Sequence, residues 1–310
     1  MQTLSKPTRI VVIGAGAVGA TTAYTLLLRN RADEIVLLDV NADKARGEAL
    51  DMQHGRPFTG GSKVWAGDYS DCADADIVIV TAGVAQRPGE TRQELLSRNV
   101  TIVRSVVEQV IAYNDHGILL MATNPVDVLS YVAWRVSGWP AERVIGSGTV
   151  LDSARFRFRL GQELGVDARS VHAHILGEHG DTEVAAWSKT NVAGVPVQLP
   201  EDQKQRIYTE TRDAAYEIIR AKGSTSYAIA LALDRICAAI LSDEHAVLNV
   251  STRLMDYHGI SNLYMGVPCV VDRTGVVRII DLPLTDDELT LLHRSAAELS
   301  KRIREVEALF

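Results

Sequence analysis

Arg9-Ile-Val-Val-Ile13-Gly14-Ala-Gly16-Ala-Val18-Gly19 joins a β-branched run to a glycine turn, and helical character follows from Val18 to Asn30. The run Arg9 to Ile13 reads as a buried strand ended by glycine. The turn matches G-x-G-x-x-G, in which glycines permit a tight bend and close approach of a pyrophosphate to a helix N-terminus. Alone that match is weak. Asp39 strengthens it, 20 residues after Gly19 and at the end of a second strand, Glu34 to Leu38. A carboxylate there accepts hydrogen bonds from ribose hydroxyls and repels a 2′-phosphate, which favours NAD over NADP.

Working outward, further strands are expected at Asp76 to Thr81, Gly117 to Met121 and Arg143 to Ile145, with helices from Gly89 to Asn114 and up to Ser137. Strands alternating with helices imply a parallel, doubly wound sheet. Polar or glycine-rich segments follow its strands at Gly14-Ala-Gly16, Asp39, Thr81-Ala-Gly83, Thr123-Asn-Pro125 and Gly146-Ser-Gly148. Ligands bind at such strand ends. The second half differs. A helix from Leu151 to Leu164 precedes strands at Val171 to Leu176 and Glu183 to Trp187, then helices at Asp202 to Lys222 and Tyr227 to Leu241. Strand-like runs at Ala246 to Arg253, Val267 to Asp272 and Val276 to Ile280 lead to a last helix from Thr285, where Thr285 and Glu288 form a capping box. The expected fold is α/β: an N-terminal Rossmann doubly wound parallel sheet over 1–148, followed by an α+β substrate domain over 149–310.

Composition narrows the function. The 310 residues carry a net charge of -7, which excludes a general nucleic-acid partner. Cys72, Cys237 and Cys269 are far apart with no C-x-x-C, as structural thiols in a reducing compartment would be. The apolar run Ile10 to Leu28 has the look of a membrane or signal segment, but Gly14, Gly16 and Gly19 interrupt it, so no membrane partner and a cytoplasmic location are expected.

The chemistry lies in His172-Ala-His174-Ile-Leu-Gly-Glu178-His179-Gly-Asp181-Thr182 and, upstream, Leu151-Asp152-Ser-Ala-Arg155. Reducing a keto acid needs a hydride from one side and a proton for the developing alkoxide, which a histidine supplies near neutral pH. His179 is that candidate. A buried carboxylate would orient its ring; Asp152 is the candidate, with Glu178 and Asp181 as local alternatives. Arg155 lies three residues after Asp152, on one helix face, and its fork suits a substrate carboxylate. Arg157 falls on roughly the opposite side and needs another role. The loop Gly83 to Gln93 contains Arg92, placed to polarise a carbonyl as the loop closes. Together these features point to hydride transfer on a small 2-hydroxy acid.

With these motifs in view, the chain resembles the L-lactate/L-malate dehydrogenase family over nearly its whole length, and within it the L-lactate enzymes. The shared stretches are Gly14 to Gly19, Gln86-Arg-Pro-Gly-Glu-Thr-Arg92, Thr123-Asn-Pro-Val126, Gly146 to Arg155 and Gly177 to Thr182. The resemblance implies His179 as acid/base with Asp152 as partner, Arg155 on the substrate carboxylate and Arg92 on the carbonyl. It implies Asn124 against both substrate and nicotinamide, and Thr225 in the substrate pocket. NAD would be held by Gly14, Gly16, Val18, Gly19, Asp39, Tyr69, Gly83, Ser105, Thr123, Asn124 and Ser147. Gln86 implies pyruvate/L-lactate, because the family's malate enzymes carry arginine there for a second carboxylate; Arg87 is adjacent, but the unbroken spacing to Arg92 argues against a slip. Arg157 and His172 match a subunit-interface site for fructose 1,6-bisphosphate in a homotetramer. His174 departs from the tyrosine of many relatives. His172 and His174 share a strand face, yet no further ligand cluster is evident and no metal is expected. A short-chain dehydrogenase would want Tyr-x-x-x-Lys, which is absent. A non-catalytic NAD-binding protein is disfavoured by the intact acid/base and anion-binding residues.

Overall fold

The parallel strands form because their β-branched runs are apolar on both faces and can be buried on both. In the computed structural model, which describes residues 6–85, 89 and 91–308, these are β1 (Arg9–Ile13), β2 (Glu34–Leu38), β3 (Lys63–Ala66), β4 (Ile77–Val80), β5 (Ile118–Met121) and β6 (Val144–Gly146). Apart from half-buried Arg9, every residue of β1, β2, β4, β5 and β6 is buried. They run parallel in the order β3-β2-β1-β4-β5-β6. The chain therefore reverses direction across the sheet at β1, and the glycine turn after β1 opens into that crevice.

The crossover helices are α1 (Ala17–Leu28), α2 (Ala42–Gly55), α3 (Arg92–Ile111) and α4 (Val126–Ser137). Helix α3 starts later than the glycine at 89, because Thr91 caps it and Glu94 returns the bond in a capping box. Helix α2 and strand β3 have no counterpart in the sequence reading. Helix α2 buries only Ala45, Ala49 and Met52, so its apolar stripe is faint. Strand β3 is short, partly exposed and at the sheet edge.

The second half begins with α5 (Val150–Leu164). Short pairings follow at β7 (Val171–His172), β8 (Ile175–Leu176), β9 (Val184–Ala185), β10 (Asn191–Val192) and β11 (Val195–Pro196). The run expected as one strand from Val171 to Leu176 thus divides, with β7 pairing to β10 and β8 to β9. The helix expected from Asp202 to Lys222 also divides at Asp213, into α6 (Glu201–Arg212) and α7 (Ala214–Lys222). Helix α8 (Tyr227–Leu241) leads into β12 (Ala246–Tyr257), β13 (Ile260–Asp272) and β14 (Gly275–Ile279), and α9 (Asp286–Glu307) closes the fold behind the expected Thr285–Glu288 capping box.

These last strands do not make a sheet of their own. β12 pairs antiparallel with β6 through Ser251 and Gly146, so nine strands form one mixed sheet in the order β14-β13-β12-β6-β5-β4-β1-β2-β3. One apolar cluster accordingly takes in Ile10, Val36 and Leu119 together with Leu233, Val250 and Leu299. Arg31, just after α1, reaches Asp234 on α8 with two hydrogen bonds of 2.8 and 3.1 Å. All three cysteines are free and buried, and burial pushes the Cys72 thiol up to about 12, so they are inert at neutral pH.

The glycine turn is built for close approach. Gly14 has φ +104°, and a Cβ on Gly19 would lie 1.7 Å from the Gly14 carbonyl oxygen. A Cβ on Gly16 would meet no protein atom within 4 Å. Gly19→Ala is therefore expected to cost about 1–3 kcal/mol of stability through overpacking. Gly16→Ala should leave the melting temperature near that of the wild type while weakening NADH binding. Thermal unfolding and an NADH fluorescence titration of both variants check this; equal NADH affinity in Gly16→Ala and wild type would show that the open space is not a ligand's.

Candidate active site

The N-terminus of α5 places the first two residues of the site. Thr149, the residue before α5, donates its hydroxyl to the Ile175 carbonyl at 2.6 Å and its N–H to the Asn249 carbonyl at 3.0 Å. The Ser153 hydroxyl accepts the Ile175 N–H at 3.0 Å. With α5 held on β8 and β12, Asp152 and Arg155 project from one face, as their three-residue spacing predicts. Asp152 is buried, and both its oxygens are engaged. Arg155 Nη1 donates to Oδ1 at 2.9 Å, and His179 Nδ1 donates to Oδ2 at 2.6 Å.

His179 is placed by its own backbone as well as by its ring. Gly177, at φ +95°, exchanges backbone hydrogen bonds with Gly266 of β13. Two residues later, the His179 N–H donates to Asp127 Oδ2 at 2.8 Å, and Asp127 Oδ1 accepts from the Ser251 hydroxyl at 2.6 Å. The other candidate partners of the ring are committed elsewhere. Glu178 pairs with Arg302 at 2.6 Å and accepts from Thr182, while Asp181 accepts from Tyr216 at 2.7 Å. Asp152 is thus the carboxylate on the ring.

Charge follows geometry. Burial opposes a charged imidazole, but Asp152 outweighs it, and His179 is raised to about 9. Burial likewise opposes the Asp152 charge, yet His179 and Arg155 hold that carboxyl below its usual value. Burial pushes Asp127 up to about 6 against its two hydrogen bonds. The ring is therefore a charged acid at neutral pH, with Nδ1 committed to Asp152 and Nε2 left for proton transfer.

A cavity of about 530 Å³ opens in front of this pair, walled by Asn124, Arg155, His179, Glu183, Arg212 and Ile219 among others. It holds an acid, a cation and an apolar wall, which is what a small keto acid requires. Thr225 is half-buried in the loop between α7 and α8 and is not among the residues lining this cavity. Gln86 and the side chain of Arg92 lie outside the described residues; Arg92 begins α3.

The expected dinucleotide residues gather at the carboxyl ends of the parallel strands. Gly14, Gly16, Val18 and Gly19 follow β1, Asp39 follows β2, Gly83 follows β4, Thr123 and Asn124 follow β5, and Ser147 follows β6. Tyr69 lies just past β3, and Ser105 is exposed on α3. Gly16 starts α1 without a side-chain cap and with no acidic residue in the first turn, so the helix N–H groups suit a pyrophosphate. Asp39 is half-buried and accepts the Ala15 N–H at 2.7 Å, fixing the turn and keeping its charge at the ribose end. These residues fit NAD.

Arg157 leaves the cavity, as its position on the helix predicts. It is half-buried, donates to the Ser153 carbonyl at 3.3 Å, and is lowered first by burial and then by Arg235. His174, bonded to Asn249 at 2.9 Å, is lowered by burial and then by the charges of Arg157 and His172. Arg157, His172 and His174 thus lie within electrostatic reach of one another. A different group, Asp243, His245 and Asp272, brings possible metal ligands together among the described residues, but Arg273 already occupies Asp243 at 3.1 Å.

Asp127, Glu183, Arg302 and Ser295, whose hydroxyl on α9 accepts the Glu178 N–H at 2.9 Å, were not anticipated. Asp127 had a signal, an acid inside the apolar run Val126 to Val132. Ser295 and Arg302 had none, because α9 lies more than a hundred residues from His179 in the chain.

A dinucleotide-binding sheet edge facing a histidine–carboxylate pair and a buried arginine defines an NAD-dependent dehydrogenase. Residues 8–146 match the NAD binding domain of lactate/malate dehydrogenase, and residues 149–310 its alpha/beta C-terminal domain. The chain belongs to the lactate/malate dehydrogenase family. It is 47% identical to an L-lactate dehydrogenase of Acetivibrio thermocellus, over 96% of this chain and 97% of that one. It is 49% identical to one from Bacillus caldolyticus, over 94% and 95%. The solved minor L-lactate dehydrogenase of Enterococcus mundtii, in its ligands-bound form, superposes with a TM-score of 0.95 at 45% identity, covering 96% of this chain and 98% of that one.

Asp152→Asn should lower the His179 pKa from about 9, since burial is then opposed only by the charges of Asp127 and Glu183. NMR titration of the imidazole reads this directly. The stabilisation that His179 contributes is fully present below pH 6.5 and is lost as pH rises through about 9, so the wild type should lose its stability advantage over Asp152→Asn across that window. A His179 pKa unchanged in Asp152→Asn would disprove the electrostatic coupling.

Proposed function

We propose that this chain interconverts pyruvate and L-lactate with NADH. The observation that carries the reading is the doubly engaged Asp152, which holds a charged His179 and a carboxylate-binding Arg155 side by side at one cavity. When bound, the reduced nicotinamide supplies a hydride to the carbonyl carbon. Arg155 grips the substrate carboxylate with guanidinium donors beyond the one given to Asp152. His179 Nε2 gives its proton to the developing alkoxide, and Asp152 steadies the ring throughout. Arg92 polarises the carbonyl from the loop side, and Asn124 contacts substrate and nicotinamide. Thr225 closes the substrate end. Gly14, Gly16, Val18, Gly19, Asp39, Tyr69, Gly83, Ser105, Thr123 and Ser147 complete the cofactor's contacts.

Substrate choice falls to Gln86, a neutral side chain that suits a methyl group; the relatives' designation as L-lactate dehydrogenases supports this. We assign the cationic pair Arg157 and His172 to fructose 1,6-bisphosphate across a subunit interface of a homotetramer. Neutralising that cluster would stabilise the active assembly. The division at 148/149, with the cofactor domain before it and the substrate domain after, and a cytoplasmic location belong to the same reading.

NADH oxidation with pyruvate and with oxaloacetate, each with and without fructose 1,6-bisphosphate, tests the proposal. A strong pyruvate preference with activation is expected, and oxaloacetate preference overturns the substrate assignment. His179→Ala should keep NADH binding and lose about 10²–10⁴-fold in kcat, as removal of a general acid does. Gln86→Arg should shift the ratio of kcat/KM values toward oxaloacetate; an unchanged ratio counts against Gln86 as the selector.

A further inference from the structure

Glu183 stands one residue past Gly180-Asp181-Thr182, in the short turn before β9, and is only 5% exposed. Its Oε1 is fully buried and has no hydrogen-bond partner among the described residues. The residue is tied down through its backbone, whose carbonyl accepts the Tyr208 hydroxyl at 2.6 Å. It lines the His179 cavity and also a neighbouring cavity of about 410 Å³, so it is part of the wall between them. A buried oxygen without a partner is costly for a neutral acid and far more so for a carboxylate.

Five titratable or charged groups face it. From α5 come Asp152, which repels its charge, and Arg155, which attracts it. His179 and, on α6, Arg212 also attract it, while Tyr208 is itself pushed up to about 12. Arg155 and His179 already share Asp152, so neither is a dedicated counter-ion for a second carboxylate. An anionic substrate on Arg155 adds one more negative charge to the same cavity.

Building on the pyruvate reading, we propose that Glu183 is a charge gate in the substrate pocket: as the neutral acid it admits a monocarboxylate to Arg155, and as the carboxylate it repels one. Burial, with Asp152 adding to it, raises its carboxyl above the usual range, which favours the neutral, open form. Glu183 touches no reacting atom, so it positions charge and belongs to KM rather than to kcat.

The test measures KM and kcat for pyruvate from pH 5 to 10 at saturating NADH, for the full-length wild type, Glu183→Gln and Glu183→Asp. In the wild type, KM climbs by up to about tenfold per pH unit once Glu183 ionises. In Glu183→Gln, KM stays flat until His179 deprotonates near 9. Glu183→Asp retains an early climb. Wild-type and Gln profiles that break at the same pH, or differ by one constant factor, overturn the proposal. A thermal-unfolding series reads the same titration without turnover. A carboxyl raised in the fold loses its stability contribution as pH rises from 4.5 through its folded pKa. Glu183→Gln should therefore melt progressively above the wild type across that interval and then hold a constant margin. Equal melting behaviour at every pH overturns the proposal even if pyruvate proves to be the wrong substrate, whereas a wild type inert toward pyruvate with the melting margin intact indicts only the substrate.

Discussion

Asp152 carries one charge and satisfies two cations. With only 2% of its surface exposed, it could not remain ionised without them. Its two oxygens divide the work. One fixes the Arg155 guanidinium, and the other fixes the His179 imidazole. The separation between these groups is thereby set by the width of a carboxylate. Under the proposed function, a substrate with its acid and carbonyl on adjacent carbons would meet both groups at once.

The residues around this pair make it rigid. Asp127 holds the His179 backbone and is itself held by Ser251 on β12, and Thr149 joins the start of α5 to β8 and β12. Glu178, which at first sight competes for the ring, is turned away by its buried bond to Arg302. The site is preorganised by β12 and β13 of the large sheet together with β8 of the small two-stranded one, so little rearrangement of the acid is needed when substrate arrives.

Most of the cofactor half was legible because its signals are local. Buried parallel strands read as unbroken β-branched runs, and the glycine turn with Asp39 has fixed spacing. Helix α2 escaped notice because two of its three buried residues are alanines, which barely mark an apolar face. His179, Asp152 and Arg155 stood out by residue type and spacing, although Glu178 and Asp181 stayed open as local alternatives to Asp152 for the ring. Only tertiary contacts distinguish them, since the deciding bonds come from α9 and α7. Glu183 carried no signal, because an acid next to a turn ordinarily reads as solvated surface. The antiparallel strands were found in part, but nothing in their alternation says that they extend the first sheet.

That extension bears on how separable the two halves are. Ser251 of β12 covers the free side of β6, and β12 continues into β13 and β14. A fragment truncated after residue 148 would leave β6 as a bare edge, with unpaired backbone groups beside an apolar surface stripped of its cover. Such an edge recruits any other extended chain and is a nucleus for aggregation. The cofactor half is therefore no free-standing module that can be cut out and grafted elsewhere, despite its self-sufficient motif. Its solubility is underwritten by a strand that the chain reaches a hundred residues later.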